Sequence, residues 1–321
     1  MIQKTKFISG LLIFLVLVAI SGCMQQGKKD TGGDALSGTQ GLVMQFVDNY
    51  PRNSYIIGSE EERIPILVDI TNKGTYPVDA GNIYISGFDK TIVTFEEKSK
   101  ALSELDLLGA NSFNPMGGFD TAEFYGKITP NEEGKGIDRY ETVILATVCY
   151  PYVTKASPSV CIDPYPFDTK MQKVCKVGSQ TLTSQGAPVA ITLIEEEAAT
   201  NMIQFKIHIK NVGDGEIIKS ESLGKCNPYG DGRLERDDFD IIELVAVKVS
   251  SEVLECGPFA GDTGNMVTLY NGEGFIICSL KKSQFGDLES AYATSLNVEL
   301  KYGYKSVISK QIEISKLTDI I

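Results

Sequence analysis

Through most of the chain, apolar side chains recur at every second position in short runs. "RIPILVDITNKG" puts Ile64, Ile66, Val68 and Ile70 on one side, and "MIQFKIHIKNVG" does the same with Ile203, Phe205, Ile207 and Ile209. That is the period of a β-strand, whose successive side chains point to opposite faces. "GLVMQFV", "NIYISGF", "TIVTF", "DTAEFYGKI" and "YETVILATVCYPYV" extend the pattern through the first half. "APVAITLIEEE", "FDIIELVAVKVSS", "GNMVTLYNGEGFIICSL", "SLNVELKYGY" and "SVISKQIEIS" carry it to the end of the second. The runs are rich in β-branched and aromatic residues and are separated by Gly, Pro, Asn and Asp, which favour turns. Residues 99–110, "SKALSELDLLGA", predict a short helical or looped insertion, with little helix elsewhere. The whole predicts an all-β chain with strands at the spacing of a sandwich.

The pattern also repeats. "PILVDITNKGTYPV" aligns with "FKIHIKNVGDGEII", so that Ile70-Thr71-Asn72-Lys73-Gly74 corresponds to Ile209-Lys210-Asn211-Val212-Gly213, about one domain further on. In each, a strand ends on Asn and is followed by a Gly able to take positive φ. Two tandem sandwiches explain this better than one large barrel. The predicted units are residues 41–178 and 179–321. The alternating run closed by Asn-x-Gly resembles the Ig-like modules of CARDB type, the adhesion-related repeats of bacterial and archaeal surface proteins. The resemblance covers a strand and its turn in each half. It implies tandem Ig-like antiparallel β-sandwiches used for display, adhesion or assembly, and it carries no family-defined active site onto any residue. The cysteines and an insertion over 96–120 depart from a minimal repeat.

The N-terminus breaks the period-two pattern. Lys4 and Lys6 precede an apolar run over 7–20, and Ser21 and Gly22 lead to Cys23, the layout of a secretory signal. A spanning helix needs about 20 apolar residues, and this run is shorter and interrupted at Ser9-Gly10. Ile20-Ser21-Gly22-Cys23 resembles the lipobox of bacterial and archaeal lipoproteins. The resemblance implies that residues 1–22 are removed and that Cys23 is lipidated, the alternative being an uncleaved signal anchor with a free cysteine. Two lipid chains anchor stably where one does not. Residues 23–40, polar and rich in Gly, Ser and Thr, form a flexible tether. The expected location is extracytoplasmic, on the outer face of the cytoplasmic membrane. The overall layout resembles an archaeal-type surface lipoprotein.

Charge and cysteine content narrow the functions. The formal net charge is −12, and an acidic field repels phosphate backbones, so a nucleic-acid partner is not expected. With His208 the only histidine, a Ser-His-Asp triad has one possible base and a multi-histidine zinc site is excluded. Of the seven cysteines, Cys23 is the one the lipobox resemblance assigns to lipidation. The remaining Cys149, Cys161, Cys175, Cys226, Cys256 and Cys278 form an even set, which outside the cytoplasm reads as a disulfide framework. Six cysteines allow 15 connectivities. Cys149 could face Cys161 across a hairpin, and Cys256 and Cys278 flank a predicted strand pair, which leaves Cys175 and Cys226. No CxxC pair is present to suggest a metal.

The candidate chemistry lies in "NPYGDGRLERDD", residues 227–238. Set on a 12-residue EF-hand loop, Asn227, Asp231, Glu235 and Asp238 fall at positions 1, 5, 9 and 12, with Gly232 at the sharp turn, which suits Ca²⁺. Tyr229 occupies a ligand position and flanking helices are not predicted; the competing reading is a solvated acidic loop beside Cys226. In "NEEGKGIDRYE", Glu132 and Glu133 are adjacent and would face opposite sides of a strand. "CYPYV" and "YGY" cluster tyrosines near strand ends, as a recognition surface or as packing with satisfied hydroxyls. No GxSxG, Walker A or GxGxxG motif occurs. The expected function is non-enzymatic: a lipid-anchored surface protein in adhesion or envelope scaffolding, with an unidentified extracellular or envelope protein as partner. The alternative is an extracytoplasmic ligand- or Ca²⁺-binding lipoprotein using the 227–238 loop.

Overall fold

The computed structural model describes residues 38–58, 60–129, 139–259, 264–285 and 289–316. The leader, Cys23, most of the tether and the Glu132–Glu133 pair lie outside them. The fold is an all-β sandwich built from antiparallel sheets. The first half contributes β1 (Leu42–Phe46), β2 (Ser54–Ile57), β3 (Glu62–Asn72), β4 (Asn82–Ser86), β5 (Val93–Phe95), β6 (Ser99–Ala101), β7 (Phe119–Ile128) and β8 (Arg139–Ala156). Then come β9 (Ser159–Ile162), β10 (Gln180–Thr181), β11 (Val189–Ala198), β12 (Met202–Asn211) and β13 (Glu216–Ile218). The chain closes with β14 (Ile241–Val249), β15 (Glu252–Val253), β16 (Glu255–Gly257), β17 (Met266–Thr268), β18 (Glu273–Lys281) and β19 (Tyr292–Lys316). The predicted insertion at 99–110 resolves into β6, one 3-10 turn at Leu102–Glu104 and a loop.

The alternation decides the burial. In β3, Ile64, Ile66, Val68 and Ile70 are fully buried, and in β12 so are Ile203, Phe205, Ile207 and Ile209. Two small sheets have the same plan: β1-β3-β7-β5 in the first half and β11-β12-β18-β16 in the second, the latter with β10 at its edge. Both face a ten-stranded sheet whose centre is β8 beside β19. From that centre, β4 and β6 extend on the β8 side and β14 and β17 on the β19 side.

The last two predicted strands, "SLNVELKYGY" and "SVISKQIEIS", are one. β19 runs for 25 residues without a turn and pairs antiparallel with β8 from Val298↔Ala156 to Ser315↔Arg139. Gly303 lies opposite Pro151 in the ladder. Its missing side chain makes room for Ile218, whose Cγ1 lies 2.8 Å from where a Cβ would sit. The two halves therefore share strands: the C-terminal part of β19 flanks the first half's β8, and the C-terminal part of β8 flanks β19 within the second half. The boundary drawn between residues 178 and 179 falls in the connection between β9 and β10, away from this shared ribbon. One hydrophobic core joins all the layers.

Three disulfides form: Cys149–Cys226, Cys161–Cys175 and Cys256–Cys278. Cys256 and Cys278 are direct cross-strand neighbours of β16 and β18, as the sequence suggested. Cys149 does not meet Cys161, because β9 does not fold back along β8. It pairs with β19 at Tyr292–Ser295, beyond the last residue that β8 reaches.

Candidate functional site

The tyrosines of "CYPYV" and "YGY" lie at the centre of the molecule and do not form a surface. Tyr302 is opposite Tyr152 and Tyr304 opposite Tyr150, with Pro151 and Gly303 between them. All four are buried, and neighbouring rings meet edge-on or tilted at centroid distances of 5.8 to 6.4 Å. Each hydroxyl is used. Tyr150 accepts from the Leu42 amide at 2.9 Å, and Tyr152 from the Tyr76 amide at 3.2 Å. Tyr302 accepts from the Val189 amide at 3.3 Å and donates at 2.9 Å to Thr154 Oγ1, whose own proton goes to Val189 O. Tyr304 accepts from the Gly215 amide at 2.8 Å and donates to Asn211 Oδ1 at 3.1 Å. Leu42 and Val189 lie in or at the start of the two small sheets, so one face of the β8–β19 ribbon carries both. Burial raises the pKa of each phenol, that of Tyr304 to about 12.

These hydroxyls explain the Asn-x-Gly repeat. Asn72 accepts from the Gly74 amide at 3.1 Å and donates to Tyr76 O at 2.7 Å. Asn211 accepts from the Gly213 amide at 3.3 Å and donates to Gly215 O at 2.9 Å. Neither glycine has positive φ, contrary to the turn chemistry expected of them. They are glycines because a tyrosine hydroxyl occupies the place of the missing Cβ: Tyr152 at 1.9 Å for Gly74 and Tyr304 at 2.5 Å for Gly213.

The 227–238 segment is a clamp across the outer face of the large sheet. Asp238 is buried; its carboxylate accepts from Ser222 Oγ at 2.6 Å, Lys225 Nζ at 2.9 and 3.0 Å and the Glu235 amide at 2.9 Å. Those hydrogen bonds, the Glu235 amide first, hold it well below the usual carboxylate range. Asn227 Oδ1 accepts from the Tyr229 amide, while Asp231 and Glu235 face solvent. Asp231, Glu235 and Asp238 do not gather: among the described residues, no three His, Cys, Asp or Glu side chains converge as metal ligands. Tyr229 donates to Ile85 O at 2.6 Å under Lys90 and Lys98, whose Nζ atoms lie 5.2 and 5.1 Å from its ring centre. With Cys149–Cys226, this fastens a second-half loop onto first-half strands. Beneath it, Tyr84, Cys149, Ile218 and Cys226 form a second small core. His208 sits on the outer face of its strand, as the alternation predicted, hydrogen-bonded to Glu195.

Two features escaped sequence reasoning. The first is the loop between β6 and β7. Residues 107–119, "LLGANSFNPMGGF", carry no charge, yet Leu108, Phe113, Met116 and Phe119 are exposed, Phe113 at 99%. The loop is not slack. Asn111 Oδ1 accepts from the Phe113 and Asn114 amides, both at 2.9 Å, and the Gly118 amide donates to Leu108 O at 2.7 Å. Its base is bonded to β3, where the Asn72 amide donates to Gly118 O at 2.8 Å. Gly117, at φ +74, passes so close that a Cβ would lie 1.8 Å from Asn72 O.

The second is Glu196, the middle residue of "EEE" in β11. It shares the inward face with Ile194, opposite Phe205, and is 7% exposed. Its Oε2 accepts from the Cys161 amide at 3.2 Å, while Oε1 is buried without a partner. Period-two alternation carried through Ile194 would have marked it as a carboxylate aimed at the core.

No protein-family model matches the chain, and no curated protein does.

Proposed function

We propose that this chain is a non-enzymatic, extracytoplasmic surface protein that acts in adhesion or envelope assembly by presenting rigid apolar loops to a protein partner. The observation that carries this reading is the 107–119 loop. Single exposed apolar residues are ordinary, but four exposed apolar side chains in one uncharged loop are more than that, and exposed apolar patches mark contact sites. A loop already ordered by its own hydrogen bonds loses little conformational freedom on binding, which favours affinity. Equivalent strand order in the two small sheets and the matching Asn-x-Gly ends support tandem Ig-like modules of CARDB type. The lipobox-like Ile20-Ser21-Gly22-Cys23 supports anchoring through a lipid on Cys23, with residues 23–40 as tether.

Affinity capture from native envelopes tests the contact. Wild-type chain and the Phe113→Ser/Met116→Ser double variant are compared, after circular dichroism and melting establish the same fold. Loss of the captured partner with the double variant is expected; equal capture sinks the loop as the contact. Mass spectrometry of membrane-extracted protein should find a lipid-modified Cys23 as N-terminus, and an intact Met1 refutes the anchor.

A further inference from the structure

Glu196 lines a cavity of about 450 Å³ bounded by β9, β11, the start of β19 and the segment 175–180. The size is that of a small-molecule site, commonly about 300–1,000 Å³. The Cys161–Cys175 disulfide forms one wall and fixes the segment over it, and Ile194 supplies an apolar surface. Ser159 and Ser179 add hydroxyls. Glu196 is anomalous here. A buried carboxylate oxygen without a donor is costly, and a leucine or methionine at 196 would continue the face of Ile194 at no such cost. Nothing in the packing of β11 against β12 uses the charge.

We propose that this cavity binds a small organic cation, a primary ammonium compound whose N–H groups hydrogen-bond to Glu196 and whose carbon chain lies along Ile194 and the disulfide. An ammonium supplies the missing donor, and such charge-assisted bonds are the strong ones. The net charge of −12 concentrates cations around the protein. A metal ion fits less well, because Ca²⁺ and Mg²⁺ require about six or more oxygen ligands, and among the described residues no group of three acidic or metal-binding side chains exists.

Protons compete for the same oxygen. Burial pushes Glu196 up to about 7, opposed by the Cys161 amide and by the nearby Gly178 amide, which does not reach hydrogen-bond geometry. Among the described residues, the only other charged side chain lining the cavity is Lys176, on the covering segment; β9, β10 and β19 present Ser159, Gln180 and Ala293. Glu195 and Glu197 belong to the opposite face of β11. Binding of a cation therefore needs the ionised carboxylate and strengthens as pH rises through neutrality.

Isothermal titration of the full chain in non-ionic detergent with n-butylammonium chloride tests this, with sodium butyrate as the anionic control. Binding is expected about thirtyfold weaker at about pH 5.5 than at about pH 8.5, following protonation of a group near 7. Glu196→Gln, nearly isosteric, should weaken n-butylammonium at least tenfold at the higher pH while keeping the wild-type melting profile. Ser159→Tyr, which narrows the mouth without touching the carboxylate, should weaken it as well. Absence of binding to the wild type, equal affinity in Glu196→Gln, or butyrate binding as well as the ammonium would each overturn the proposal.

Discussion

Asn72 and Asn211 hold equivalent places at the ends of β3 and β12, but their surroundings differ. Asn72 is fully buried and also donates to Leu107 O at 3.0 Å, which ties β3 to the base of the 107–119 loop. Asn211 is partly exposed and adds the Tyr304 hydroxyl instead. Removing the Asn72 amide leaves buried carbonyls and the Gly74 amide unpaired, whereas water can reach part of the site at 211. Asn72→Ala should therefore lower stability by about 1–3 kcal/mol, and Asn211→Ala by less, as measured by urea unfolding. The asparagines were legible in the sequence as a repeat. The reason for the glycine two residues on was not, because it lies in a tyrosine on another strand, Tyr152 for Gly74 and Tyr304 for Gly213. Glu196 was legible in principle, since Ile194 fixes its parity. Its cavity was not, because β9 and the 175–180 segment approach it only through tertiary pairing.

Among the elements, β3, β7, β8, β11, β12, β14 and β18 were readable because each has one face in the core and alternation records it. Short strands such as β2 and β10 carry too few residues to show a period. β16 is three residues long and is defined by its register against β18, with Cys256 facing Cys278. The segment 227–238 was read as a loop with possible ligands; its role depends on Cys149, which is bonded to the adjacent Cys226 across a sequence separation of 77. Joining distant positions removes freedom from the unfolded chain, typically about 2–4 kcal/mol. Replacing both Cys149 and Cys226 by serine should lower stability by that order in a denaturant titration. It should also free the clamp, so that trypsin cuts first after Arg233 or Arg236. Unchanged stability together with an unchanged first cleavage site would show that Tyr229 and the small core beneath suffice.

Across the whole molecule, the strand pairings of the two halves correspond in register about the Pro151–Gly303 pair. Tyr150 and Tyr302 reach the first strands of their respective small sheets, and Tyr152 and Tyr304 reach the Asn-x-Gly ends. β4 and β14 flank the ribbon at matching registers, Asn82 beside Cys149 and Glu243 beside Lys301. The duplication was visible in the sequence. The sharing of β8 and β19 was not, because pairing between strands some 150 residues apart leaves no local pattern. A fragment ending at residue 178 would keep every first-half strand but leave β8 without the neighbour it has over its whole length. Such an edge recruits other chains. We predict that this fragment self-associates or fails to melt cooperatively, as judged by size-exclusion chromatography and calorimetry. A monomer with a sharp transition would contradict this.

The length of β19 also bears on how the chain reaches its final state when delivered from its N-terminus. Residues 305–315, which cover the N-terminal part of β8, arrive long after the strand they cover. Until they do, the first half waits as an open, incomplete sheet, and local contacts cannot close it early. The C-terminal part of β19 acts as a latch, closing the sheet only when it reaches the strand that precedes it far back in the chain.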